Sequence, residues 1–184
     1  EEVRLLRGEA AGDLEGFGNR LFTDLLHLTG ADWFVLRVLP AGDPQLTVLT
    51  ASTPEMRGPP LGIASSTPEE SPAELSAART RREQEFDASR STSARDPLSS
   101  AGPEATGIVQ PLLFGNTLLG TLAIGRRQKD APFTALQAEM IRAFGEFMAV
   151  QIMNVRHRED QVHARLVAHE LEIAVLGDAF VGAF

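Results

Sequence analysis

"VQPLLFGNTLLGTLAIGR", residues 109–126, decides the fold. Two apolar runs flank Gly115-Asn116, and a further glycine, Gly120, lies inside the second run. A two-residue Gly-Asn loop suits a type II′ or I′ turn, whose twist matches that of paired strands. With that pair as the loop, Phe114 faces Thr117, Leu112 faces Leu119, Gln110 faces Thr121 and Pro111 faces Gly120. Side chains alternate between the two faces of a strand. One face then carries Ile108, Leu112, Leu119 and Ala123 with two polar residues, Gln110 and Thr121. The other carries Val109, Leu113, Leu118, Leu122 and Ile124, with Pro111 and Gly120. The second face is wholly apolar, and its glycine admits a close neighbour, most simply a helix.

That helix follows at once. From Phe133 to Leu176, 44 residues run without a proline. As one helix they span about 66 Å, more than a domain of this size covers. The first part is expected on the sheet through Leu136, Met140, Ile141, Phe144 and Phe147. A seam also runs through Ile141, Gly145, Met148, Ile152, Val155, Glu159, Val162, Leu166, His169, Ile173 and Leu176. Its steps alternate four and three, the spacing of a coiled coil. The expectation is a parallel homodimer, with Ile141, Gly145, Met148, Ile152, Val155, Val162, Leu166 and Ile173 in its interface.

Upstream, Leu14, Phe17, Leu21, Leu25 and Leu28 recur at helical spacing over 13–28, with Asp13 as N-cap and Gly30 as terminator. "DWFVLRVL" (32–39) and "LTVLTAS" (46–52) read as strands joined by the turn "AGDP". Residues 53–106 hold seven prolines and little apolar periodicity. Only 72–86 reads as a helix there; the rest is expected to be loop, partly mobile.

Composition narrows the function. The 184 residues carry a net charge of −8, against a nucleic-acid footprint. The basic cluster Arg79, Arg81 and Arg82 is followed at once by Glu83 and Glu85. No cysteine is present, which removes thiol catalysis, thiol-linked cofactors and Cys-ligated metal. A reducing, cytoplasmic setting is expected. No apolar run has membrane-spanning length and no signal pattern opens the chain. The start at Glu1 reads as a segment of a longer protein.

The order is helix, two strands, a variable segment, the hairpin "PLLFGNTLLGTLAIG", and a long helix opening at Phe133-Thr134. This resembles a GAF domain over about residues 13–155, with 156–184 as a signalling helix leading to an effector. The resemblance implies an α+β fold. A central antiparallel sheet carries the first and last helices on one side and a small-molecule pocket on the other. It implies a non-enzymatic sensory or regulatory domain that binds a ligand, dimerises, or does both, and that relays a signal to a kinase, phosphatase or cyclase in the same chain. Cyclic-nucleotide-binding members carry an acidic pair where Gln137 and Ala138 stand, although Lys129 and Phe133 match. Bilin attachment and methionine-sulfoxide reduction both need cysteine. No cofactor is assigned.

The candidate ligand-binding residues are Trp33, Arg37, Gln110 and Thr121, with Arg37 a potential anchor for a carboxylate. His27, His157, His163 and His169 show no metal-ligand spacing. "VAHELEIA" (167–174) offers a second function: His169-Glu170 resembles the phosphoacceptor box of a sensor kinase, without its usual Arg/Lys-Thr-Pro continuation.

Overall fold

The computed structural model describes residues 20–63, 72–90, 96–128 and 132–181, with the side chains of the last helix described through 168. Helix α1 covers residues 20–29. It ends as the sequence predicts: Gly30 takes φ +64° and the Ala31 amide donates to the Leu26 carbonyl at 3.1 Å, closing a Schellman motif. The expected Asp13 cap, Leu14 and Phe17 lie outside the described residues.

Six strands form one antiparallel sheet: β1 (Trp33–Val38), β2 (Gln45–Ala51), β3 (Leu61–Gly62), β4 (Gln84–Asp87), β5 (Thr106–Phe114) and β6 (Thr117–Arg126). Their spatial order is β3-β2-β1-β6-β5-β4. Gly115 has φ +58° and Asn116 is not among the positive-φ residues, the pattern of a type II′ turn. The hairpin pairs Phe114 with Thr117 and Leu113 with Leu118 as expected. A bulge between Leu112 and Leu113 then shifts the register, so that Leu112 faces Gly120, Pro111 faces Thr121 and Gln110 faces Leu122. One slipped residue reverses the face of every side chain beyond it. On β6, Leu122 and Ile124 look toward the helices, as expected. On β5 the expected faces are exchanged, and Ile108 and Leu112 join the helix side.

Residues 53–106 hold more structure than their composition suggests. They include two 3₁₀ turns (Pro54–Met56 and Pro97–Ala101), α2 (Ala73–Thr80), β3 and β4. The expected 72–86 helix stops at Thr80 because Arg81 adopts the left-handed conformation, φ +55°, and the chain re-enters the sheet as β4.

Helix α3, Ala135–Val181, is 47 residues long. Its start is a capping box: the Gln137 amide nitrogen of the main chain donates to Thr134 Oγ1 at 3.2 Å, and the Thr134 amide donates to Gln137 Oε1 at 3.0 Å. Gln137 is occupied by this cap.

The core lies on both faces of the sheet. On one, Phe22 of α1 stacks on Phe34 (4.1 Å between centroids) and tilts against Phe144 of α3 (4.8 Å). Leu36, Leu112, Leu122, Ile141, Met148 and Ile152 complete that layer. On the other, Trp33, Val35, Val109 and Ala123 meet Met56, Ala77, Phe86 and Leu98 from α2, β4 and the 3₁₀ turns.

Candidate functional site

The face of the sheet beneath α2 is built around Trp33 and Arg37. Trp33 is fully buried and packs edge-on to Phe86, 5.9 Å between centroids. Its indole lies against two paired glycines. A Cβ on Gly125 would stand 2.3 Å from Trp33 Cζ2, and one on Gly107 2.8 Å from the same atom. These glycines, rather than Gly120, admit the large group. Gly120 is required for a different reason: its Cβ would lie 2.1 Å from the Arg37 carbonyl oxygen.

Arg37 and Glu74 are both completely buried. Arg37 Nε donates to the two carboxylate oxygens of Glu74 at 3.0 Å each. Nη1 donates to the Pro59 carbonyl and Nη2 to the Arg57 carbonyl, both at 3.1 Å. The carboxylate expected at Arg37 is therefore one of the protein's own, carried by α2. Burial pushes Glu74 up to about 7 against the pull of Arg37, with nearby Asp96 adding to the rise. Burial also raises Asp96, whose side chain caps the Pro97–Ala101 turn by accepting from the Leu98 amide at 3.0 Å.

Thr121 faces Arg37 directly across the β1–β6 pair. Thr121 Oγ1 and Trp33 Nε1 are buried without a hydrogen-bond partner. Of the four sequence-derived ligand residues, the structure thus groups Trp33, Arg37 and Thr121 on one face. Gln110 lies on the opposite face, toward α3, because of the bulge. Its Nε2 is 3.5 Å from the Arg142 carbonyl, and a Cβ on Gly145 would lie 1.3 Å from that nitrogen. Gly145 therefore makes room for the Gln110 amide, whose Oε1 is buried and unpartnered.

An open cleft of about 410 Å³ lies beside the start of β4, lined by Arg81, Glu83, Gln110, Pro111, Arg142 and Glu146 among others. Pairing of β4 stops at Gln84–Val109, which leaves the outer edge of β5 without a strand partner from Gln110 onward. Pro111 suits such an edge, having no amide hydrogen to offer. Glu83 reaches across to Arg142 at 3.0 Å, and this contact raises the Arg142 pKa above the ordinary guanidinium value. Sequence reasoning missed Glu74, Gly107, Gly125, Arg81 and Arg142; only the glycines left a trace, as small residues opposite a tryptophan.

The expected dimer seam divides. Ile141, Gly145, Met148 and Ile152 are buried inside the protomer, against the sheet, and cannot form an interface between subunits. Val155 packs partly against the same layer. The sheet-facing stripe of α3 and a coiled-coil seam have nearly the same period, so one apolar row serves the first and points into the second. Leu136 and Phe147, expected on the sheet, are 72% and 41% exposed. Arg156 donates to the Leu39 carbonyl, tying α3 to the end of β1. Past it, every side chain from 157 to 168 is exposed or only partly covered. The side chains of His169 and Ile173 lie outside the described residues. His27, His157 and His163 are exposed, and no group of metal-ligating side chains forms among the described residues. No helix among them is long and apolar enough to cross a membrane.

Comparison with known proteins agrees with this architecture. The fold is similar to that of the GAF domain/HD domain protein from Geobacter sulfurreducens, with a TM-score of 0.65 and 17% identity over 82% of this chain and 97% of that one. It is also similar to the GAF-B domain of DevS from Mycobacterium smegmatis (TM-score 0.53, 25% identity, 76% and 92% covered). A third similar structure is the GAF domain of a phosphoenolpyruvate-protein phosphotransferase from Coxiella burnetii (TM-score 0.63, 14% identity, 85% and 93% covered). Among curated proteins none matches the chain. The GAF domain profile matches residues 13–152, which spans the sheet, its covering elements and the sheet-bound part of α3; the chain belongs to the GAF domain family.

Proposed function

We propose that this chain is a non-enzymatic sensory or regulatory domain that dimerises through the distal part of α3 and passes a change in the sheet along that helix to an effector. The observation that carries this reading is the continuity of α3. The helix is packed on the sheet as far as Val155 and runs on to Val181. Val162 is 38% exposed and Leu166 is half-buried, on the row that upstream faces the core. An apolar row of this kind on a bare helix calls for a second helix. Support for a regulatory role comes from the family and from the similar domains in DevS and in a phosphotransferase. A ligand on the α2 side would meet Trp33 and Thr121, whose buried polar atoms have no partner. At Arg37 it would have to compete with Glu74.

Sedimentation across a concentration series tests the assembly. The native chain is expected to sediment as a dimer at tens of micromolar, and Val162→Glu/Leu166→Glu as a folded monomer. A monomeric native chain would remove the proposal.

A further inference from the structure

We infer that the cleft between β5 and α3 is a second small-molecule site, separate from the face beneath α2, and that it takes a free amino acid or a compound of the same zwitterionic chemistry. Three observations lead there. First, the cleft has ligand-sized dimensions, about 410 Å³, within the range of roughly 300–1,000 Å³ usual for such sites. Second, Gln110 lines it while only 6% exposed, and its Oε1 is buried with no partner. A buried amide oxygen without a donor is costly, and a turn of the Gln110 side chain toward the cleft would present it to an N–H or ammonium group. Third, the charges at the rim leave one of each sign over. Arg142 is engaged by Glu83 at 3.0 Å and by Glu139 at 2.6 Å. Arg81 and Glu146 also line the cleft, and no ion pair among the described residues involves either. A carboxylate suits Arg81, and an ammonium suits Glu146 together with Gln110 Oε1.

Arg81 is positioned for this by strain. It is the non-glycine residue among those described that holds a positive φ, +55°, and that turn brings the end of α2 to the rim. The inference does not depend on the assembly proposed above, nor on a ligand beneath α2. Its site touches the helix directly: Gln110 rests in the gap left by Gly145, so whatever engages the Gln110 amide bears on α3.

The test titrates the full chain with each of the twenty free amino acids, by thermal shift and by calorimetry. At least one is expected to raise the melting temperature with concentration. Its N-acetyl and carboxamide derivatives, each lacking one charge, should bind about tenfold more weakly or worse. Arg81→Glu and Glu146→Lys, both at exposed positions, should weaken the parent compound to a similar degree with unchanged circular dichroism. The inference is overturned if no amino acid binds. It is equally overturned if both derivatives bind as well as the parent, or if both rim variants retain full affinity. Binding that survives the rim variants but disappears in Thr121→Val places the ligand beneath α2 and also overturns it. Sedimentation of the same samples reports dimerisation separately, so either idea can fail alone.

Discussion

Arg37 Nε sits 3.0 Å from both oxygens of Glu74, and neither side chain has any contact with solvent. The pair joins β1 to α2 and holds the Arg57 and Pro59 carbonyls as well. Removing one partner of such a pair leaves a charge buried and unmatched, at a cost of about 3–5 kcal/mol. Above pH 7, where Glu74 is ionised, Glu74→Ala is expected to lose that much stability in urea or guanidinium unfolding. The double variant Arg37→Met/Glu74→Met should be less damaged than Glu74→Ala alone, since no charge is left behind. Strict additivity of the two changes would show that the side chains do not interact.

The same pair carries a pH dependence whose sign is fixed. Burial lifts Glu74 from 4.5 to about 7 in the folded chain. Between those values the unfolded chain has released this proton and the folded chain still holds it. The contribution is complete below pH 4.5 and is lost as pH rises through 7. Glu74→Gln keeps an acceptor for Arg37 but cannot titrate. The stability difference between native chain and Glu74→Gln should therefore shrink as pH rises from 4.5 to 7.5, as read by unfolding at fixed temperature. A flat difference would contradict it.

Gly145 invites a reversal of the ordinary helix rule. Replacing an interior helical glycine by alanine usually gains about 1 kcal/mol. Here the new methyl would fall 1.3 Å from Gln110 Nε2, so Gly145→Ala should cost about 1–3 kcal/mol instead. In a Gln110→Ala background the same change should become favourable. Thermal denaturation of the four proteins in that cycle measures both effects.

Trp33, the single tryptophan, reports on its own glycine bed. Gly125→Ala would put a Cβ 2.0 Å from the Thr106 carbonyl oxygen as well as against the indole. Backbone cannot yield as a side chain end can, so a loss of about 3 kcal/mol or more is expected. Gly42→Ala is a poor control, because φ is +78° there; Ala143→Ser on exposed α3 surface serves better. Fluorescence of Gly125→Ala should shift to the red while that of Ala143→Ser stays at the native wavelength.

The hairpin, the two early strands and the long helix could be read from the sequence because each combines a strong period with a clear terminator. Gly115-Asn116 set the turn, Gly30 closed α1, and Phe133-Thr134 opened α3. The bulge at Leu112–Leu113 was hidden, because Leu118-Leu119-Gly120 has no polar residue to mark which side chain is extra. Strand β4 was hidden for the opposite reason: "QEFD" is mostly polar, and only pairing with β5 makes it a strand. Nothing in the local sequence marks Glu74, because its partner lies 37 positions away. An apolar row such as Ile141, Met148 and Ile152 fits a sheet or a second helix equally well. Its period tells that something covers it, and only the fold tells what.

The run of α3 beyond Arg156 has a mechanical consequence. From that last tie to Val181 the helix extends about 37 Å. A tilt of about 5° at the tie would carry the far end through about 3 Å, roughly the rise of two helical residues. Repacking around Phe144 or Gln110 too small to disturb the core would thus arrive at the tip as a displacement large enough to re-register a neighbouring helix.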